Sequence, residues 1–91
     1  MMLVSLEQAK LRLRASDHED PDLMMMIQQA SDMVLTYIKK DEDDFEEVPH
    51  AIQVATLLIV GELMKEREAG SDPMSKGVID ILTPYREPTL A

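Results

Sequence analysis

A run of acids with one histidine is the densest group of residues that could do chemistry. Asp17, His18, Glu19, Asp20 and Asp22 offer carboxylate and imidazole ligands to a metal ion. The run lacks the central glycine and the spaced Asp, Asn and Glu positions of a calcium loop. A transition-metal site would need further histidine or cysteine ligands, and the chain has two histidines and no cysteine. Since acids are favoured at helix starts, we interpret the run as a polar link that caps a helix.

His50 is the second candidate for catalysis, and it directly follows Pro49 at the start of an apolar segment. No serine or cysteine nucleophile motif accompanies it, and scattered residues do not supply the geometry of a Ser-His-Asp triad. The sequence also lacks a glycine-rich phosphate loop and a carboxylate pair with a pocket signature. We therefore expect no enzymatic activity, no cofactor and no metal site. His50 is interpreted as a surface or interface residue.

Acidic residues dominate the charge of the chain, with eighteen Asp and Glu against nine Lys and Arg and a formal charge of −9. This balance opposes binding to nucleic-acid phosphates and to anionic membranes. It suits a protein that lets a polyanion pass without adhering. The run that begins Asp41, Glu42, Asp43 and Asp44 is either a solvated loop or a surface that repels nucleic acid. No secretory signal or membrane-length apolar run is present, so a cytoplasmic location is expected.

Two helices are expected in the first forty residues. The shorter begins after Ser5, which forms a capping-box pattern with Gln8, and ends near residues 15–16. The longer runs for about five turns from the Asp20 cap to Ile38, because apolar residues recur there at three- and four-residue spacing.

Two further helices are expected in the second half. The third opens near Pro49 and is apolar around most of its circumference, which is typical of a central, buried helix. Gly61 in this helix permits a neighbour to approach closely. A short fourth helix covers Lys76 to Leu82 and stops before Pro84, which cannot donate into the next turn.

These elements predict an all-α fold, a small helical bundle in which two long helices pack antiparallel and short helices flank them. Residues 1–91 are expected to form a single domain, with an extended C-terminal tail at 84–91. Eight Met and three aromatic residues make a small, adaptable core. Such a core suggests that assembly with other subunits completes the stability.

Two groups of residues are candidates for binding a partner. Pro84, Tyr85 and Arg86 place an aromatic ring and a cation on a stiff segment, and Tyr and Arg often anchor interfaces. Met24 and Met25 belong to a run of three Met whose members point in different directions on a helix. The third Met suits the core. For Met24 or Met25, a subunit contact and core filling are about equally consistent with the sequence, since Met suits adaptable interfaces.

Ordered stretches of the chain resemble the small head–tail connector proteins of tailed phages, a family also described as phage DNA packaging proteins. Residues 4–14 are similar to its VTLEEAKxHLR start, and residues 17–23 to its DHDEDDxLI stretch. Residues 30–38 resemble its AxxxVExYL pattern, with Leu35 where Glu is usual.

The resemblance continues through the second half. Residues 49–55 look like the PxAIxxA helix start of the family, and residues 66–69 resemble its NREA, with Glu66 where Asn is usual. The ending GVIDILTPYR at 77–86 is close to GVxxLLxPYR, with Thr83 where Ala is common. The matching stretches occur in the family's order and together cover nearly the whole chain. The three departures therefore affect details of contacts and not the resemblance itself.

The resemblance implies a non-enzymatic adaptor of the virion, present in the host cytoplasm during assembly. It implies a ring of about twelve subunits below the portal protein, which prolongs the DNA channel and receives the next connector or tail protein. DNA would pass without specific binding along the acids 41–44, and residues 84–86 would dock on the portal or a neighbouring subunit. The alternative is a small acidic helical binding or regulatory protein that mimics DNA charge, which predicts a basic partner and no ring.

Overall fold

The computed structural model describes residues 3–14, 20–41, 45–64 and 74–86. These ranges contain four α-helices and a closing 3₁₀ turn: α1 (Leu6–Leu13), α2 (Asp20–Ile38), α3 (His50–Met64), α4 (Lys76–Leu82) and the turn Thr83–Tyr85. No strand occurs in the described ranges. The prediction of an all-α fold is confirmed.

α1 begins where its capping pattern predicts. The Ser5 hydroxyl accepts a hydrogen bond from the Gln8 N–H at 3.0 Å, and the Gln8 side-chain oxygen accepts one from the Ser5 N–H at 2.8 Å. This capping box satisfies amide groups that a helix start leaves without partners. The helix ends slightly earlier than expected, because Arg14 turns left-handed at φ 55° and its N–H bonds back to the Lys10 carbonyl.

α2 and α3 are the two long helices, and they form the centre of the bundle. Ile27 of α2 and Ile59 of α3 are fully buried in a shared apolar core. Leu23 and Met64 line one surface depression together, which places the start of α2 beside the end of α3. The two helices therefore run antiparallel, as predicted.

The short helices pack against different flanks of α2. Just before α1, the Leu3 N–H donates to the buried Ser31 hydroxyl oxygen at 2.9 Å. Beyond α4, the Thr83 hydroxyl lies 3.2 Å from the Tyr37 hydroxyl. At about 100° per residue, positions 31 and 37 fall on opposite sides of the buried stripe of α2. The segment before α1 and the turn after α4 thus contact two different sides of α2.

α1 also reaches α3 at Gly61. A Cβ atom at Gly61 would lie 3.5 Å from the Leu13 side chain, which is an ordinary van der Waals distance. Glycine therefore accommodates the approach of α1, as expected, although the space would also accept an alanine.

The start of the predicted tail is a compact turn. Residues 84 and 85 belong to the 3₁₀ turn, and the extended conformation begins at Arg86, with φ −71° and ψ 133°. The turn forms because the Arg86 N–H donates to the Thr83 carbonyl at 3.1 Å, while Pro84 needs no N–H partner. Residues 87–91 lie outside the described ranges. Among the helices that are described, none has the length and hydropathy to cross a bilayer.

Candidate partner-binding surfaces

The C-terminal turn docks on the end of α2 through Tyr37. The Arg86 Nε donates to the Tyr37 carbonyl at 3.0 Å, and the guanidinium carbon lies 4.9 Å from the centroid of the Tyr37 ring. The carbonyls in the last turn of a helix have no helical partner, so this hydrogen bond satisfies one of them. The cation also complements the negative end of α2, which Lys39 and Lys40 directly follow.

Thr83 joins the same cluster through its hydroxyl group. Its Oγ1 donates to the Ile79 carbonyl at 2.7 Å, so the Tyr37 hydroxyl is the donor in the 3.2 Å contact with Thr83. Tyr37, Thr83 and Arg86 together are called the C-terminal anchor below. The anchor fixes the position of the turn relative to α2.

The C-terminal anchor leaves part of the predicted binding segment accessible. Pro84 and Arg86 are exposed, and Tyr85 is half-buried against the core. The structure therefore brings the three candidates together at one end of the bundle. The sequence does not predict the roles of Tyr37 and Thr83. In the sequence, Tyr37 is one of the periodic apolar positions of α2, and Thr83 is a residue that stands where the family usually has Ala.

The three consecutive Met residues face different surroundings, as helical periodicity predicts. Met24 and Met25 are 39% and 70% exposed, whereas Met26 is half-buried and packs against the core. Met25 is thus among the most exposed large apolar side chains in the described ranges.

Met25 lies in a shallow depression of about 700 Å³ along the outward face of α2, here called the Met groove. The groove is lined by Met25, Gln28, Gln29, Asp32, Met33, Thr36, Tyr37 and Met74. Three Met side chains and one aromatic ring give it an apolar floor that can adapt to an occupant. It also includes Tyr37, so the Met groove and the C-terminal anchor adjoin.

The acidic candidates lie beyond the end of α2. Asp41 is exposed and lines a second depression with Lys39 and Lys40. The Lys40 ammonium group lies 5.7 Å from the centroid of the Phe45 ring. Glu42, Asp43 and Asp44, the other members of the predicted channel-facing set, fall outside the described ranges.

Two of the candidates for metal binding and catalysis, Asp20 and His50, lie at helix starts in the part of the chain that the structure describes. No group of three or more His, Asp or Glu residues is placed to hold a metal ion there. Asp20 contacts the Lys10 ammonium at 3.2 Å, so it links the start of α2 to α1. His50 is exposed at the first position of α3. Asp17, His18 and Glu19 lie outside the described ranges.

Comparison with known proteins relates the chain to one family. The family model of the phage gp6-like head-tail connector protein matches residues 3–86. The match includes all four helices, the Met groove and the C-terminal anchor. No curated protein and no solved structure matches the chain.

Proposed function

This chain belongs to the phage gp6-like head-tail connector family, and we propose from that membership that its copies form a ring below the portal of a phage head. The ring extends the channel through which DNA passes and receives the next connector or tail protein. About twelve copies close it, in keeping with the cyclic symmetry of such assemblies. The role is structural and non-enzymatic, and the protein passes through the host cytoplasm before it enters the virion.

The observation that carries this proposal is the extent of the family match, which begins before α1 and ends at Arg86. A match over the whole described fold favours a connector over an acidic regulatory protein, because only the net charge supports the hypothesis of a regulatory protein. The charge itself suits a channel wall. Asp41 and residues 42–44 supply carboxylates that repel the DNA phosphates, so that DNA slides past without binding.

Pro84, Tyr85 and Arg86 form the contact with the portal or a neighbouring subunit. Arg86 uses Nε and one face of its guanidinium within its own chain, yet the side chain remains exposed. Its terminal amino groups are additional donors suited to a partner carboxylate. Because the C-terminal anchor holds the turn in place, binding costs less conformational entropy than it would for an unanchored segment. Met24 and Met25 supply a contact between subunits.

Deletion of the gene from the phage or prophage that encodes the chain tests the proposal. Without the protein, DNA-filled heads and unattached tails accumulate, and a plasmid copy restores complete particles. A plasmid copy with Tyr85→Ala and Arg86→Ala fails to restore them, although circular dichroism shows the helical content of the wild type. Lys76→Ala, at a position exposed on α4, restores them fully. Complete particles in the absence of the protein would refute the connector role.

A further inference from the structure

We propose that neighbouring copies of this chain meet head to tail, with the outward face of α1 in one copy seated in the Met groove of the next. This inference rests on the proposed ring and names the two surfaces that build it. The α1 face consists of Leu11 and Arg12 together with Arg14, the residue that caps the C-terminus of α1.

The α1 face presents an apolar side chain between cations. Leu11 is 83% exposed, which is the highest value among the large apolar residues of the described ranges. Arg12 and Arg14 are also exposed, Arg12 next to Leu11 in the helix and Arg14 as the residue that caps its C-terminus. A single exposed leucine is common on protein surfaces, so the argument also needs a matching surface.

The Met groove is the matching surface because it is both apolar and adaptable. Met25 is 70% exposed at its edge, and Met33 and Met74 line it further along. Unbranched Met side chains rearrange around an inserted side chain at small cost. Burying Leu11 there removes apolar surface of both copies from water, which stabilises the contact.

Charge complementarity selects a second copy as the occupant. Lys10 and Asp20 pair with each other within one copy. This leaves Arg12 and Arg14 exposed beside Leu11, and it leaves Asp22 and Asp32 exposed near Met25, whereas Lys39 and Lys40 follow the end of α2. Asp32 lies in the Met groove itself, and Asp22 is exposed on the same helix. In a chain with a net charge of −9, the α1 face thus carries positive charge, and the surface around Met25 carries negative charge. Such pairing orients the partners and disfavours a meeting of like faces.

The placement of the two surfaces allows the contact to repeat. α1 packs near Ser31, while Tyr37 marks the other flank of α2, where the Met groove ends. One copy can therefore offer its α1 face to one neighbour and its groove to another. An interface between two different faces of identical subunits is heterologous, and it closes into a ring when the rotation between copies permits.

Cysteine cross-linking in phage particles tests the pairing, and the natural chain has no cysteine to interfere. In the double variant Leu11→Cys with Met25→Cys, mild oxidation or a short bis-maleimide joins each copy to the next. The product is a ladder of covalent oligomers up to the closed ring. The matched control combines Met25→Cys with Asp80→Cys, since the Asp80 side chain is 62% exposed on α4 and belongs to neither surface. We expect about tenfold more cross-linked product from the first pair, because contact raises the local thiol concentration.

Each other outcome contradicts a defined part of the account. Equal cross-linking of both pairs in particles that contain the protein would overturn the pairing of α1 with the Met groove and leave the connector role standing. Covalent dimers from either single-cysteine variant would show that like faces meet, and would overturn the head-to-tail arrangement. Absence of the wild-type protein from particles would refute the proposed function and this inference with it.

Discussion

At the scale of single residues, two fully buried hydroxyl groups have different roles. The Ser31 oxygen accepts a hydrogen bond from the Leu3 N–H across 28 positions of sequence, so it holds the segment before α1 against α2. The Thr56 hydroxyl donates to the Ile52 carbonyl at 2.8 Å within α3. A carbonyl inside a helix already has a backbone partner, so the Thr56 bond adds little that the helix lacks. Ser31 therefore supports the fold by accepting from the buried Leu3 amide.

Ser31→Ala is expected to lower the free energy of unfolding by about 1–3 kcal/mol, because the Leu3 N–H would remain buried without an acceptor. Thr56→Val is the matched control at a buried hydroxyl, and its loss should be about 1 kcal/mol or less. Urea denaturation followed by circular dichroism measures both. Equal losses in the two variants would show that the Ser31 contact does not hold the N-terminal segment.

At the scale of elements, the end of α2 is completed by a residue far along the chain. The Lys40 N–H, just after α2, donates to the Leu35 carbonyl, and Arg86 adds a donor for the Tyr37 carbonyl and a further cation. The same contact fixes the 3₁₀ turn, and with it the orientation of Pro84 and Tyr85. Docking of the turn on α2 thus fixes the position of the proposed binding segment beside the Met groove, which the C-terminal anchor adjoins at Tyr37.

Arg86→Ala should destabilise the fold by about 1 kcal/mol, through loss of one exposed hydrogen bond and one exposed cation–π contact. Amide hydrogen exchange should become faster in the last turn of α2. Lys76→Ala is the control, because Lys76 forms only an exposed ion pair with Asp80, and its effect should stay within about 0.5 kcal/mol. If both variants unfold at the same urea concentration, the anchor does not contribute to stability.

The sequence predicts elements well where their signals are local. The capping pair Ser5 and Gln8 marks the start of α1, and Lys76 to Leu82 are the bounds of α4 as predicted. It does not predict the C-terminal anchor, because its partners lie 46 and 49 positions apart and no spacing rule connects them. The sequence does not predict the Met groove either, since Met74 lies far along the chain from the α2 residues that line the groove with it.

At the scale of the whole molecule, the charge of −9 makes copies repel one another, so assembly needs local attraction. Salt screens the general repulsion over about 8 Å at physiological ionic strength, while pairs in direct contact are screened less. In the proposed interface, Arg12 and Arg14 of one copy and Asp22 and Asp32 of the next provide such pairs. In the proposed ring, such contacts would leave the remaining carboxylates available to repel DNA.

The central claim is that copies of this chain form a ring between the portal and the tail. Electron cryo-microscopy of the neck of the phage particles tests it most directly. We expect a closed ring directly below the portal, into which α1 to α4 fit as one helical bundle per copy, with the DNA channel through its centre. The account would be contradicted if complete phage particles lacked the protein and the rings of their neck contained no density for this bundle.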